Sequence, residues 1–210
     1  MATPKSQRIG IWIIAIVLMT GTFGSFLVMG LSLNNKKTDD AQLQTAYNNY
    51  QTSVAAQAKE LSDKYYADFS QYASMPSEFS TDSVTELTKN DLKVGDGADV
   101  TSETAYDAYY IGWNPKGVIF DQSIVDGALK SPIAGGNQIV GWNEGVIGMK
   151  IGGVRELAIP SAKAYGETGS GDNILPNMPI KFVVMIIPKV DAIPLPQILL
   201  DYYQSQAATQ

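Results

Sequence analysis

Polar and apolar positions divide the chain into three regimes. From Ile9 to Leu33 the sequence reads IGIWIIAIVLMTGTFGSFLVMGLSL without a charge, behind a short basic flank, residues 1–8, that carries Lys5 and Arg8. Roughly 20 apolar residues span a bilayer core, so this run predicts a single transmembrane anchor over 9–33. A cleavable signal usually has a shorter apolar core of about 7–15 residues, which favours retention over removal after Gly30-Leu31-Ser32. The second regime is helical. Leu43, Tyr47, Tyr50, Val54, Ala58, Leu61, Tyr65, Phe69 and Tyr72 recur at spacings of three and four, predicting a stalk over 40–72 with one apolar stripe. The repeat slips after Val54, which argues against a sustained coiled coil. The stripe is expected to pack on the domain that follows, with dimerisation or a substrate-holding arm as alternatives.

The third regime alternates. Residues 73–83, with Pro76 and several serines, read as a linker. Strands are predicted at Val84–Leu87, Thr104–Trp113, Gly117–Asp121, Val154–Ile159 and Ile180–Val190, with a tight turn at Val94-Gly95-Asp96-Gly97. Glu144–Met149 reads as a short helical turn, ended by Gly152-Gly153. Strands around one short helix predict an α+β domain over 84–190 with an antiparallel sheet. A tail, 191–210, is punctuated by Pro194 and Pro196 and ends in a short helix over Gln197–Gln204. At the centre lies Ile139-Val140-Gly141-Trp142-Asn143-Glu144-Gly145-Val146. A Trp opening a short helix directly after a Gly suits the floor of a binding site, provided that its indole N–H finds a partner. Tyr106, Tyr109, Tyr110, Trp113, Phe120, Tyr165 and Phe182 flank it and together suggest a pocket rather than only a sheet core.

Composition narrows the chemistry. The 210 residues contain no Cys and no His. That removes thiol nucleophiles, Ser-His-Asp triads, thiolate zinc sites and disulfides, and no metal or cofactor is expected. A net charge of −6 argues against nucleic acid as a partner. Lys5 and Arg8 before the apolar run face Lys36 and Lys37 after it, so charge fixes orientation weakly. A lone amino-terminal span followed by one domain places that domain outside the cytoplasm. Ser161 with Lys163 as a hydrolytic dyad, or Glu144 with Glu167 as an acid/base pair, have less to recommend them than exposed loop positions.

Six blocks in order carry a family resemblance: Tyr110-Ile111-Gly112-Trp113, Phe120-Asp121-Gln122-Ser123, Ile139 to Gly145, Gly148-Met149-Lys150-Ile151-Gly152-Gly153, Ala164-Tyr165-Gly166, and Ile174-Leu175-Pro176-Asn177 ahead of Phe182, with Leu92-Lys93-Val94-Gly95-Asp96-Gly97 as a lead-in that also fits. The chain resembles the FKBP-type peptidyl-prolyl cis/trans isomerases, in a membrane-anchored, prokaryotic-looking form. The resemblance implies a curved antiparallel sheet wrapped over one short helix. It also implies rotation of X-Pro bonds in polypeptides during folding at a membrane surface, with a non-catalytic binding or chaperone module as the alternative. By the same resemblance Trp142 is the pocket floor and Phe182 a catalytic wall. Asp121 is the wall carboxylate, and Tyr165 donates its hydroxyl to a substrate carbonyl. Tyr110, Phe120, Gln138 and Ile139 line the substrate site, and Ile174 and Leu175 overhang it. Self-association through the stalk is a further expectation. Between Ser123 and Gln138 the chain departs from the family: it lacks that region's aromatics, and Lys130 stands as the candidate partner of Asp121.

Overall fold

The computed structural model describes residues 37–207. The expected anchor, Ile9–Leu33, lies outside them; among the described residues no helix is long and apolar enough to cross a membrane. The described chain falls into two compact units, Thr52–Ile193 and the residues on either side of it. Helix α1 runs from Lys37 to Ser70 and so contributes to both. In the smaller unit Leu43 and Leu199 are buried. There Tyr202 and Tyr203 of the last helix, α3 (Gln197–Ala207), stack edge-on with centroids 5.8 Å apart.

The larger unit is built on an antiparallel sheet. Its strands are β1 (Thr88–Lys93), β2 (Tyr106–Trp113), β3 (Ile119–Gln122), β6 (Ile133–Ala134), β7 (Val154–Ile159) and β8 (Ile180–Pro188), in the order β1-β7-β8-β2-β3. The short β6 pairs with β2 at Asp107 and Ala108, beside the stretch that pairs with β3. Helix α2 (Val140–Val146) lies on one face. Two of its four buried residues are Gly141 and Gly145. A Cβ on Gly141 would stand 2.2 Å from Ile159 Cγ2, and one on Gly145 2.7 Å from Leu157 Cδ1. Glycine in a helix costs about 1 kcal/mol against alanine, and here it lets α2 lie flush on β7.

Strand β2 is buried at every position, because both faces of the sheet are covered. Ala108 and Tyr110 join Trp142, Leu157, Ile159, Phe182 and Val184 in the α2-side core. Tyr109, Ile111 and Trp113 point the other way and join Phe69, Val183, Met185 and Ile187, with Tyr65 and Tyr66 of α1 packed against them. Phe69 is fully buried, and its ring lies 6.3 Å from that of Tyr109. The residues after α1 are tied down too. Trp113 Nε1 donates to the Ser77 carbonyl at 3.2 Å, and the Phe79 N–H to the Pro115 carbonyl at 3.0 Å.

Several element boundaries differ from the sequence reading. No strand forms over Val84–Leu87; β1 starts at Thr88, and its sequence TKNDLK is nearly all exposed. An edge strand in contact with water carries no apolar alternation by which to find it. The central helix begins at Val140 rather than Glu144, since the Trp142 and Asn143 N–H groups already bond the Ile139 carbonyl. Residues 124–129 hold an additional hairpin, β4 (Ile124–Val125) with β5 (Ala128–Leu129). Its turn residues Asp126 and Gly127 have φ of 49° and 76°, the pair of positive values that an Asp-Gly two-residue turn supplies. That dipeptide was the signal in the sequence. Leu129 packs into the α1-side core.

Candidate active site

Sheet register assembles the site. One transverse row runs Lys89, Leu157, Phe182, Gly112, Asp121 across β1, β7, β8, β2 and β3. Its neighbour runs Asp91, Arg155, Val184, Tyr110. Alternation then sends the side chains of both rows to the α2 face. Gly112 leaves the space that Phe182 and Phe120 fill: a Cβ there would stand 2.5 Å from the first ring and 2.7 Å from the second.

Phe182 is the hub of the aromatic cluster. Trp142 meets it at 5.2 Å between centroids and 82° between planes, Phe120 at 5.5 Å and 86°, and Tyr110 at 6.1 Å and 63°. Tyr110 also stands edge-on to Trp142 at 5.7 Å. Such perpendicular pairs set positive ring edges against negative faces and add about 0.5–1.5 kcal/mol each beyond area burial. Trp142 is 2 % exposed, and its indole N–H donates to the Tyr106 hydroxyl at 3.3 Å. Ile174 is buried in the same core, while Phe120, Ile139 and Tyr165 are half-buried against it.

Polar groups gather at one margin of this cluster. Tyr110 donates its hydroxyl to Asp121 Oδ2. Lys130 Nζ and the Gln122 N–H reach Asp121 Oδ1 at 2.9 and 2.8 Å. Burial pulls the Asp121 carboxyl upward, but the Tyr110 and Lys130 hydrogen bonds, the lysine charge and the Gln122 amide outweigh it and hold the group below its ordinary range. Burial first, then the Asp121 bond and charge, raise the Tyr110 phenol. Tyr165 is raised for the same two kinds of reason, burial and then the Asp121 charge. At neutral pH the margin thus presents one carboxylate and two protonated phenols.

Of the ten residues named from sequence, the structure brings Tyr110, Phe120, Asp121, Ile139, Trp142, Tyr165, Ile174 and Phe182 together. Two stand apart. Gln138 turns its amide to the Ala134 carbonyl at 3.3 Å, and Leu175 is 50 % exposed. The Ser161–Lys163 dyad, disfavoured from the sequence, finds no support here either, since Lys163 is ion-paired with Glu144.

Three groups support the site: Asn114 and Arg155 were not foreseen, and Tyr106 was named only among the flanking aromatics. Tyr106 holds the indole. Asn114, buried at 4 %, donates to the Asn173 carbonyl at 2.9 Å, while its Oδ1 takes the Lys116 and Val118 N–H groups, so it ties the β2–β3 turn to the loop before Ile174. Arg155, 6 % exposed, pairs with Asp91 through two nitrogens and donates to the Gly145 and Ile147 carbonyls at 2.7 and 3.2 Å. A guanidinium at the carboxy-terminal end of α2 complements the helix dipole and fixes the segment that carries Trp142. Asn114 and Arg155 are lone polar residues that bond distant backbone carbonyls, which no local pattern reveals.

Residues 96–187 match the family model for FKBP-type peptidyl-prolyl cis-trans isomerase. The chain is 36 % identical over 98 residues to an FK506-binding protein of Neisseria meningitidis serogroup A, covering 46 % of this chain and 90 % of that one. It is 34 % identical over 97 residues to FK506-binding protein 4 of Rhizopus delemar, of which it spans only 25 %. The crystal structure of AtFKBP13 shares 32 % identity over 50 % of this chain and 93 % of that chain, with a TM-score of 0.43. On the Neisseria relative, matched over nearly its whole length at this identity, the chain belongs to the FKBP-type peptidyl-prolyl cis-trans isomerase family.

Proposed function

We propose that the chain rotates X-Pro bonds of polypeptide substrates at a membrane surface, tethered through Ile9–Leu33, with its isomerase domain outside the cytoplasm. The observation that carries the chemical part is the perpendicular cluster of Tyr110, Phe120, Trp142 and Phe182 with Asp121 and Tyr165 at its margin. Rotating a prolyl amide crosses a barrier of about 18–20 kcal/mol set by resonance, and takes tens of seconds unaided. It needs no proton relay and no nucleophile, so a chain without His or Cys is equipped for it. In the twisted state the carbonyl loses conjugation and the amide becomes less polar. An apolar aromatic wall favours that state over the planar, hydrated one, while the Tyr165 hydroxyl holds a substrate carbonyl. Bringing tens of seconds to tens of milliseconds is three powers of ten, or roughly 4 kcal/mol, which differential binding can supply.

The test is isomerisation of a short X-Pro peptide by the full chain in detergent. Trp142→Leu serves as the damaged control. Acceleration by the parent and its loss in the variant are expected; an inert parent sinks the reading. For the tether, protease added outside intact cells, after permeabilising any outer envelope, should degrade the domain. Full protection would place it on the other side. Tyr65, Tyr66 and Phe69 pack on the sheet of their own chain, so self-association through that half of the helix forms no part of the proposal.

A further inference from the structure

The β4–β5 hairpin connects the helix behind the sheet to the carboxylate in front of it. Ser62 of α1, 7 % exposed, accepts at Oγ the Leu129 N–H at 2.9 Å. Leu129 is itself buried in the α1-side core. The next residue, Lys130, donates its own N–H to the Ser123 carbonyl at 2.9 Å. Its Nζ then reaches Asp121 Oδ1 at 2.9 Å and lies 5.5 Å from the centre of the Tyr110 ring. Ser123 is bonded to Tyr110 in both directions, its N–H to the Tyr110 carbonyl at 2.7 Å and the Tyr110 N–H to its Oγ at 2.9 Å. From Ser62 to Asp121 the path is two hydrogen bonds joined by one peptide link and one side chain.

We propose that Ser62 is a positioning residue for the isomerase site: it anchors Leu129 so that Lys130 is held against Asp121 and Tyr110. The activity readout of this inference rests on the isomerase reading; its titration readout does not. A lysine side chain samples many rotamers, and fixing its backbone limits where the amine goes. The groups that face Asp121 are the Tyr110 hydroxyl from β2, the Lys130 amine, the Gln122 N–H and, more remotely, the Tyr165 phenol. Among them Lys130 supplies the positive charge. Without the anchor, Lys130 spends less time on the carboxylate, and the Asp121 carboxyl titrates at higher pH. The helix before the family-matched segment thereby belongs to the working enzyme.

The experiment compares full-length Ser62→Ala, Ser62→Cys, Lys130→Met and the Ser62→Ala/Lys130→Met double variant. Carboxyl NMR follows Asp121 titration, and a proline peptide reports kcat/KM. Ser62→Ala is expected to move the Asp121 midpoint upward, in the direction of Lys130→Met, and to lower kcat/KM about two- to fivefold, as for a half-exposed charge pair. The double variant should match Lys130→Met alone. Ser62→Cys, close in size and a weaker acceptor, should fall between parent and Ser62→Ala, and stands in for it should the alanine chain not fold. An unmoved Asp121 titration in the folded Ser62 variant, or effects of Ser62 and Lys130 that simply add, overturns the proposal. An inert parent would sink the isomerase reading, and the titrations would still decide this one.

Discussion

Tyr109 and Tyr110 are chain neighbours on β2 with opposite fates. Tyr110 faces α2, meets Trp142 and Phe182 edge-on and donates to Asp121. Tyr109 faces α1, packs between Tyr65 and Phe69, and its buried hydroxyl has no partner among the described residues. The two faces of one sheet thus solve different problems. The α2 face leaves polar groups at the edge of an aromatic cluster, where a substrate could reach them. The α1 face is closed with hydrophobic and aromatic bulk and tolerates an unsatisfied hydroxyl. Burial of an unpaired polar atom is not confined to one face, since Asn143 Oδ1 of α2 also lacks a partner among the described residues; what sets the α2 face apart is the linked Tyr110, Asp121 and Lys130 groups at its margin.

The largest effects should separate the faces most clearly. Trp142→Ala and Phe69→Ala each remove a fully enclosed aromatic and should each cost about 3–5 kcal/mol of stability by denaturant titration. Only Trp142→Ala should also abolish activity per folded molecule; a folded Phe69→Ala that is equally inert would erase the distinction. The two tyrosines come next, with opposite signs. Tyr110→Phe loses a hydrogen bond to a charged group and should destabilise by about 1.5–3 kcal/mol. Tyr109→Phe removes an unpaired buried hydroxyl and should stabilise by about 1 kcal/mol. Equal signs for the pair would break the comparison.

Smaller changes sharpen the account of the site. Tyr165→Phe keeps the ring and loses one hydrogen bond to substrate, so kcat/KM should fall by about 0.5–1.5 kcal/mol in transition-state terms with the melting temperature unchanged. The slightest effect concerns pH. Because Asp121 is held below its ordinary value, its contribution is present above about pH 4 and is lost as pH falls below that. The raised phenols of Tyr106, Tyr109 and Tyr110 act at the other end. Their contribution is intact below about pH 10 and decays as pH rises beyond it. Activity should therefore be flat through neutrality, and Asp121→Asn should slow the enzyme without abolishing it. A bell centred near pH 7 would mean that proton transfer takes part.

The sequence by itself determined the parts whose cause is local or periodic. Spacings of three and four wrote the helix that became α1, and an apolar run wrote β8. The ordered blocks around Tyr110, Asp121, Trp142, Tyr165 and Phe182 identified residues that the fold then gathered. What only the tertiary structure decided depends on atoms far apart in the chain. Register placed Phe182, Gly112 and Asp121 in one row and left room at Gly112 for two rings. The polar strand β1 exists because β7 offered it an edge, not because of any preference in TKNDLK. Arg155, Asn114, Ser62 and the Tyr106 hydroxyl each meet a partner separated by between 10 and 67 positions. A hydrogen bond that closes a long loop leaves no periodic trace in composition, since one polar side chain and one distant polar atom satisfy it wherever the chain happens to return.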